Sequence, residues 1–352
     1  MPESEAAARL VMKSVSQNLD KHPVAELGSI DEQVPIIDIS DLVSDSSSAA
    51  AAPAIKDIAQ ACREWGFFQI INHGISADLI DQVWDRTRAL FALSNEEKLS
   101  VLRTKENPWG FYPNELTKNQ RDKKEVFDFT REGVDPIYGQ KNRWLENQDT
   151  FKATMQEYFD ACTELSLTLL EAFCIGLDLP ANHMRADFAN NHTGFMRLNY
   201  YPTEDPMSDI DIEHQAAADL GIHHHTDAGA LTVLLQDDVG GLQVYKDGYW
   251  HDIQPVPGAI VINTGDMMQV WSNDFYRAPI HRVLAMETRK RFSLPFFFNP
   301  SAASIVTPLP TVINQERPSR YNPVEWSSFR GKRSEGDYAD YGTEVQISQF
   351  RK

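Results

Sequence analysis

The sequence predicts a mostly β fold with flanking helices, its core a double-sheet jelly roll, also called a double-stranded β-helix. Three observations point there. From Thr193 to Phe298, short apolar or alternating runs recur with turn residues between them, as in a barrel or sandwich of many short strands. Before residue 190, apolar residues instead fall at helical spacing over longer stretches. Neither an internal repeat nor a clean linker divides the 352 residues, so one domain with helical decoration is expected. Its parts are a polar N-terminal arm over 1–33, a helix-and-strand region over 34–190, the jelly-roll core over 191–305, and a C-terminal helix and tail over 306–352.

Taken in order, residues 35–40 carry Ile36, Ile37 and Ile39 and read as a strand. The Ser- and Ala-rich stretch 44–53 is an exposed loop or the start of the next helix. Ile55, Ile58, Ala59 and Cys62 give a helix over 54–65 that stops at Gly66, and 67–71 is then a buried strand turned by Asn72-His73-Gly74. His73, alone beside a turn, reads as structural. Leu79, Val83, Leu90 and Phe91 place a long helix over 76–93, and Ser94 opens a capping box. The stripe Phe151, Met155, Phe159, Cys162, Leu165, Leu169 and Phe173 predicts a helix over 149–176 that supports the barrel from outside. A shorter helix over 181–190 follows. Strands are then expected at 195–201, 223–226, 230–235, 242–246, 250–253, 259–263, 282–284 and 291–298. Asp266 falls where a turn is expected and reads as structural. A C-terminal helix starts within 321–330, and the charged, aromatic stretch 333–342 folds back over the barrel mouth.

The chemistry gathers around His223-His224-His225-Thr226-Asp227. Residues i and i+2 of a strand share a face, so His225 and Asp227 can reach one ion together. His281 lies 56 residues after His225, inside an apolar run. Two imidazoles and one carboxylate leave positions open on a ferrous ion for a chelating co-substrate and O2. The same donors suit zinc, and a His-rich run is also compatible with a solvated turn. The ligand is assigned to His225 because only it stands two residues before an acid; His223, on the same face, is the alternative. Ten residues after His281 comes Arg291-Phe292-Ser293, leading an apolar run to Phe298. A buried guanidinium there needs an acidic partner, either a bound carboxylate with the Ser293 hydroxyl alongside or an internal salt bridge. Asn199 and Tyr201 form another i, i+2 pair able to share a face with the site.

His225-Thr226-Asp227, His281 and Arg291-Phe292-Ser293, in this order and spacing, resemble the isopenicillin N synthase-like branch of the Fe(II)/2-oxoglutarate oxygenases. The segments 34–40, 65–75, 196–202 and 236–244 are similar to that family's other motifs, and the likeness spans residues 34–348. It implies that His225, Asp227 and His281 are iron ligands. It further implies that Arg291 and Ser293, with the Tyr201 phenol, hold the distal carboxylate of 2-oxoglutarate, and that Asn199 sits near its chelating end. Fe(II), 2-oxoglutarate and O2 would then be used, with ascorbate as a reductant. Decarboxylation of 2-oxoglutarate to succinate and CO2 would accompany hydroxylation or desaturation of a small molecule. By the same analogy Phe111, Tyr112, Phe129, Phe297 and Asn299 line a pocket for an apolar or aromatic compound such as a secondary metabolite or hormone. As plain residues, Phe111, Tyr112 and Phe129 read equally as aromatic core. Two rivals stand beside this reading: a same-fold Fe(II) oxidase that does not use 2-oxoglutarate, as isopenicillin N synthase and aminocyclopropane-carboxylate oxidase do not, and a non-catalytic small-molecule binding protein.

Composition narrows the partners. A formal net charge of −18 argues against nucleic acid and anionic membrane surfaces. Three cysteines without paired spacing fit buried thiols in a reducing compartment. No uncharged run approaches the roughly 20 residues of a membrane span, and the N-terminus, with Glu3 and Glu5, lacks an apolar secretory core. A cytoplasmic monomer is expected.

Overall fold

The computed structural model describes residues 19–25, 33–117, 120–188, 191–204, 220–338 and 345–352. Most of the 1–33 arm, the end of the expected 181–190 helix, and 339–342 of the expected fold-back lie outside the described residues. The strands are β1 (Ile36–Asp38), β2 (Phe67–Ile71), β3 (Gly110–Tyr112), β4 (Leu116–Thr117), β5 (Gln120–Arg121), β6 (Glu125–Thr130) and β7 (Phe195–Tyr201). There follow β8 (Leu220–His225), β9 (Leu231–Gln236), β10 (Leu242–Lys246), β11 (Tyr249–Asp252), β12 (Ile260–Thr264), β13 (His281–Leu284) and β14 (Arg291–Phe298).

Two sheets form the core, as expected of a jelly roll. The larger has eight strands in the order β1-β2-β12-β9-β14-β7-β6-β3, and the smaller has four, β11-β10-β13-β8. Strands from the first third of the chain therefore complete the sheet that carries β7 and β14.

Period-two alternation sorts the residues of β14 and β7 between two buried environments. On β14, Arg291, Ser293, Pro295 and Phe297 face a cavity walled by both sheets, while Leu294, Phe296 and Phe298 join the main apolar core. β7 does the same, with Phe195, Arg197, Asn199 and Tyr201 inward and Met196 and Leu198 on the core side. The helix Asp149–Gly176 lies under that core side, burying the expected stripe from Phe151 to Phe173. The helices Ala52–Glu64 and Ala77–Phe91 pack against it. Ser94 and Glu97 close the expected capping box at the helix Asn95–Leu99.

Three local expectations need correction. The expected 181–190 helix is a single turn, Arg185–Phe188. Asp266 does not sit in a turn: it opens the helix Asp266–Trp271 and is fully buried. The expected strand 223–226 is β8, which begins earlier and stops at His225.

Candidate metal and co-substrate site

His225, Asp227 and His281 each offer a ligand atom, and these atoms lie within 4.8 Å of one another. β8 and β13 pair with His281 directly opposite His225, which brings the two rings to 4.3 Å between centroids. The expectation that Asp227 shares a strand face with His225 fails, because Asp227 lies in the loop after β8. Main-chain bonds deliver it instead. The Asp266 N–H donates to the Asp227 carbonyl at 2.8 Å, and Arg333 Nη2 donates to the Thr226 carbonyl at 2.8 Å. Gly265 has to be glycine here. A Cβ at that position would be driven into the Gly229 carbonyl and stand 2.9 Å from the Asp227 carbonyl.

Each ligand is aimed by a second bond. His225 Nδ1 meets the His223 carbonyl at 2.7 Å, and His281 Nδ1 meets the Pro279 carbonyl at 3.1 Å. A carbonyl only accepts, so the proton sits on Nδ1 and both Nε2 lone pairs are free to ligate. Thr232 Oγ1 and Asn263 Nδ2 both donate to Asp227 Oδ2, at 2.5 and 2.7 Å. That leaves Oδ1 turned toward the rings, 3.7 Å from His225 Nε2 and 3.6 Å from His281 Nε2. Burial, with His281 alongside, holds His225 well below the ordinary imidazole range, in the neutral form that a metal requires.

The other two histidines of the run have separate work. Register slips between the His281/His225 and Val283/Ile222 pairs, an irregularity that interrupts strict alternation on β8. Ile222 lines the cavity, while His223 places its N–H and Nδ1 on Asp122 Oδ1 at 3.2 and 2.9 Å. His224 turns outward to the Asp20 carboxylate at 3.0 Å.

Arg291 is 1% exposed, and no carboxylate pairs with it among the described residues. Its guanidinium donates to Ser293 Oγ and Gln236 Oε1, each at 3.3 Å, and lies 4.9 Å from the Tyr201 ring centroid. Antiparallel pairing sets Arg291 opposite Tyr201 and Ser293 opposite Asn199, so the four residues form one patch. Asn199 Nδ2 donates to Ser293 Oγ at 3.3 Å. Arg291 Nε, Asn199 Oδ1 and Gln236 Nε2 are buried without a hydrogen-bond partner. Such groups are costly unless something else satisfies them, and a carboxylate would serve Arg291.

Phe297 and Asn299 line the cavity. Phe111, Tyr112 and Phe129 do not. Phe127 and Phe129 share the outer face of β6 with Phe111 of β3, and all three belong to the main core. Tyr112 lies under the Arg103 guanidinium at 4.3 Å. The cavity wall contains charged residues that sequence reasoning missed: Glu115, Lys124, Arg197, Arg330 and Arg333. Arg197 continues the alternation of Asn199 and Tyr201 and could have been read from it. Glu115 and Lys124 lie in stretches without periodicity and gave no signal. Glu115 bridges Arg103 and Arg197 at 3.0 and 2.9 Å, and Asp128 bridges the same two at 3.2 and 2.8 Å, closing a buried ring of four charges.

Comparison with known proteins agrees with this geometry. The model of the 2OG-Fe(II) oxygenase superfamily matches residues 192–300, and that of the non-haem dioxygenase in morphine synthesis N-terminal region matches 34–148. The chain is 30% identical over 348 residues to Protein DMR6-LIKE OXYGENASE 2 of Arabidopsis thaliana, covering 96% of this chain and 93% of that one. It is 34% identical over 296 residues to a homoarginine-6-hydroxylase of Glycine max, covering 79% and 88%. The crystal structure of JOX2 in complex with 2OG, Fe and JA superposes with a TM-score of 0.76 at 26% identity, over 94% of this chain and 90% of that one. The chain is thus an Fe(II)- and 2-oxoglutarate-dependent oxygenase acting on a small organic substrate, and it belongs to the 2OG-Fe(II) oxygenase superfamily.

Proposed function

We propose that His225, Asp227 and His281 hold the Fe(II) ion and that Arg291, Ser293 and the Tyr201 phenol hold the distal carboxylate of 2-oxoglutarate, with Asn199 beside its chelating end. The single observation that carries this reading is the buried Arg291, without a described acid partner, in a cavity shared with three convergent ligands on β8, β13 and the loop between β8 and β9. The donor set fits the metal: two neutral imidazoles and a carboxylate are a facial triad. Iron bound there supplies O2 activation coupled to decarboxylation of 2-oxoglutarate to succinate and CO2. The chain's own part is placement. Thr232 and Asn263 fix which carboxylate oxygen ligates, Arg291 fixes the co-substrate's far end, and the two sheets exclude water.

The organic substrate is proposed to be an apolar or aromatic small molecule, hydroxylated by default, lying against Phe195, Phe297 and Trp326. Among the described residues no helix is long and apolar enough to cross a membrane. We take the protein to be a cytoplasmic monomer, with no nucleic-acid partner, on its charge of −18 and its three buried free cysteines. Anaerobic titration of the Fe(II)-loaded protein with 2-oxoglutarate tests the site. A visible metal-to-ligand charge-transfer band that Arg291→Ala weakens is the expected result. Iron binding without a band, together with turnover without succinate, would refute the co-substrate assignment.

A further inference from the structure

The inward face of β7 runs Tyr201, Asn199, Arg197, Phe195, and β14 sets Arg291 beside Tyr201, Ser293 beside Asn199 and Phe297 beside Phe195. Tyr201 and Arg197 are four residues apart, so Arg197 starts from backbone about 13 Å along the strand from the co-substrate end. One carboxylate cannot use both ends. Arg330 joins the far end from the helix Trp326–Tyr338. Trp326, Arg330 and Arg333 stand at i, i+4 and i+7, one helical face, and all three line the cavity. The Arg330 guanidinium lies 4.9 Å from the Phe195 ring centroid, and Phe195 stacks on Phe297 at 4.6 Å.

The charge of this wall is one-sided. With Asp227 and Arg291 set aside for metal and co-substrate, the lining keeps, among the described residues, Lys124, Arg197, Arg330 and Arg333 against one acid, Glu115. Asp122, Asp128 and Asp266 contact Lys124, Arg197 and Arg333 at 3.0, 2.8 and 3.8 Å but do not line the cavity. Lys124, Arg197 and Arg333 thus face inward with these carboxylates behind them, and Arg330 faces inward within the electrostatic reach of Asp135, in a chain whose net charge is −18. A neutral guest would set apolar or uncharged surface against these donors; a carboxylate would accept charge-assisted bonds from them.

We propose that the substrate is an acid, an apolar or aromatic body that packs on Phe195 and Phe297 and carries a carboxylate received by Arg330, with Arg197 alongside. This rests on the co-substrate assignment above, since it presumes that Arg291 is occupied by 2-oxoglutarate. The test uses the full chain loaded anaerobically with Fe(II) and 2-oxoglutarate. Cinnamate, phenylpropionate and cyclohexylacetate, each beside its methyl ester, are titrated calorimetrically and then assayed for stimulated succinate release. Acids should bind roughly 10- to 100-fold tighter than their esters. Arg330→Gln should abolish that preference, and Arg330→Lys should keep part of it. If no acid outbinds its ester, silence across the whole panel included, or if the preference survives intact in Arg330→Gln, the inference is overturned. Titration of 2-oxoglutarate alone into the wild-type Fe(II) protein separates the two readings. A charge-transfer band without acid preference sinks only the substrate inference, whereas no band sinks the co-substrate assignment on which it stands.

Discussion

Asn263→Ala should weaken metal binding without unfolding the protein. Asn263 Nδ2 and Thr232 Oγ1 share Asp227 Oδ2 as acceptor, at 2.7 and 2.5 Å, and both residues are buried. Removing one donor frees the carboxylate to rotate and leaves part of a buried charge unsatisfied. A hydrogen bond to a charged group is worth about 1.5–3 kcal/mol. At about 1.4 kcal/mol per tenfold, that corresponds to roughly 10- to 100-fold in affinity, the range typical of groups that orient metal ligands. Thr232→Val, nearly isosteric, should do the same. The double variant should lose more than the two single changes added together if the remaining donor tightens its bond in each single variant. Anaerobic Fe(II) titration gives the affinities, and urea unfolding of the metal-free protein shows whether the fold is intact. If both single variants fold normally and bind Fe(II) with wild-type affinity, the carboxylate is not oriented by these donors and the reasoning is refuted.

Three further outcomes follow from the same contacts. Arg291→Gln should lower 2-oxoglutarate affinity by about 100-fold, the loss of a buried charge-assisted pair, while leaving Fe(II) affinity nearly unchanged; equal losses in both would point to a structural defect. Gly265→Ala should destabilise the fold by about 1–3 kcal/mol through overpacking, read as a lower urea midpoint, because its Cβ meets the Gly229 and Asp227 carbonyls; an unchanged midpoint would show that the loop can give way. His192 is pushed down to about 4 by burial, with Arg131 nearby, and its Nδ1 takes the Gly194 N–H at 3.2 Å. The unfolded imidazole titrates near 6.5, so the unfolded chain binds the extra proton between those values. His192 thus contributes stability that is fully present above about pH 6.5 and lost as pH falls through about 4, about 3 kcal/mol in total. His192→Gln should flatten the acid limb of stability against pH, and an unchanged limb would refute the assignment.

What the sequence made legible was what alternation and caps control. Arg291 with Ser293 and Asn199 with Tyr201 were readable as shared faces because period two holds on β14 and β7. The helix 149–176 was readable because its apolar stripe is unbroken. The β6 face was not: Phe127 and Phe129 alternate with Asp128 and Thr130, but all six residues from Glu125 to Thr130 are buried, so the alternation marks no solvent side and only tertiary packing decides which face meets the main core. Of the two readings open for Phe129, cavity wall and aromatic core, the structure takes the second. The irregularity in β8 has no residue signature, and it alters how the three histidines divide their roles. Arg330 and Arg333 sit on a helix with few apolar residues, whose cavity face only tertiary packing defines.

The three metal arms are not held alike. His225 and His281 are both oriented by the carbonyl two residues upstream on their own chain, at 2.7 and 3.1 Å. Those bonds depend on backbone shape and survive almost any change of neighbouring side chains. Asp227 depends on two side chains drawn from β9 and β12. Sequence drift in the surrounding core therefore reaches the site first through its carboxylate. Variants that retune or open the metal's coordination, whether by chance or by selection, should accumulate at positions 232 and 263 before they touch either histidine.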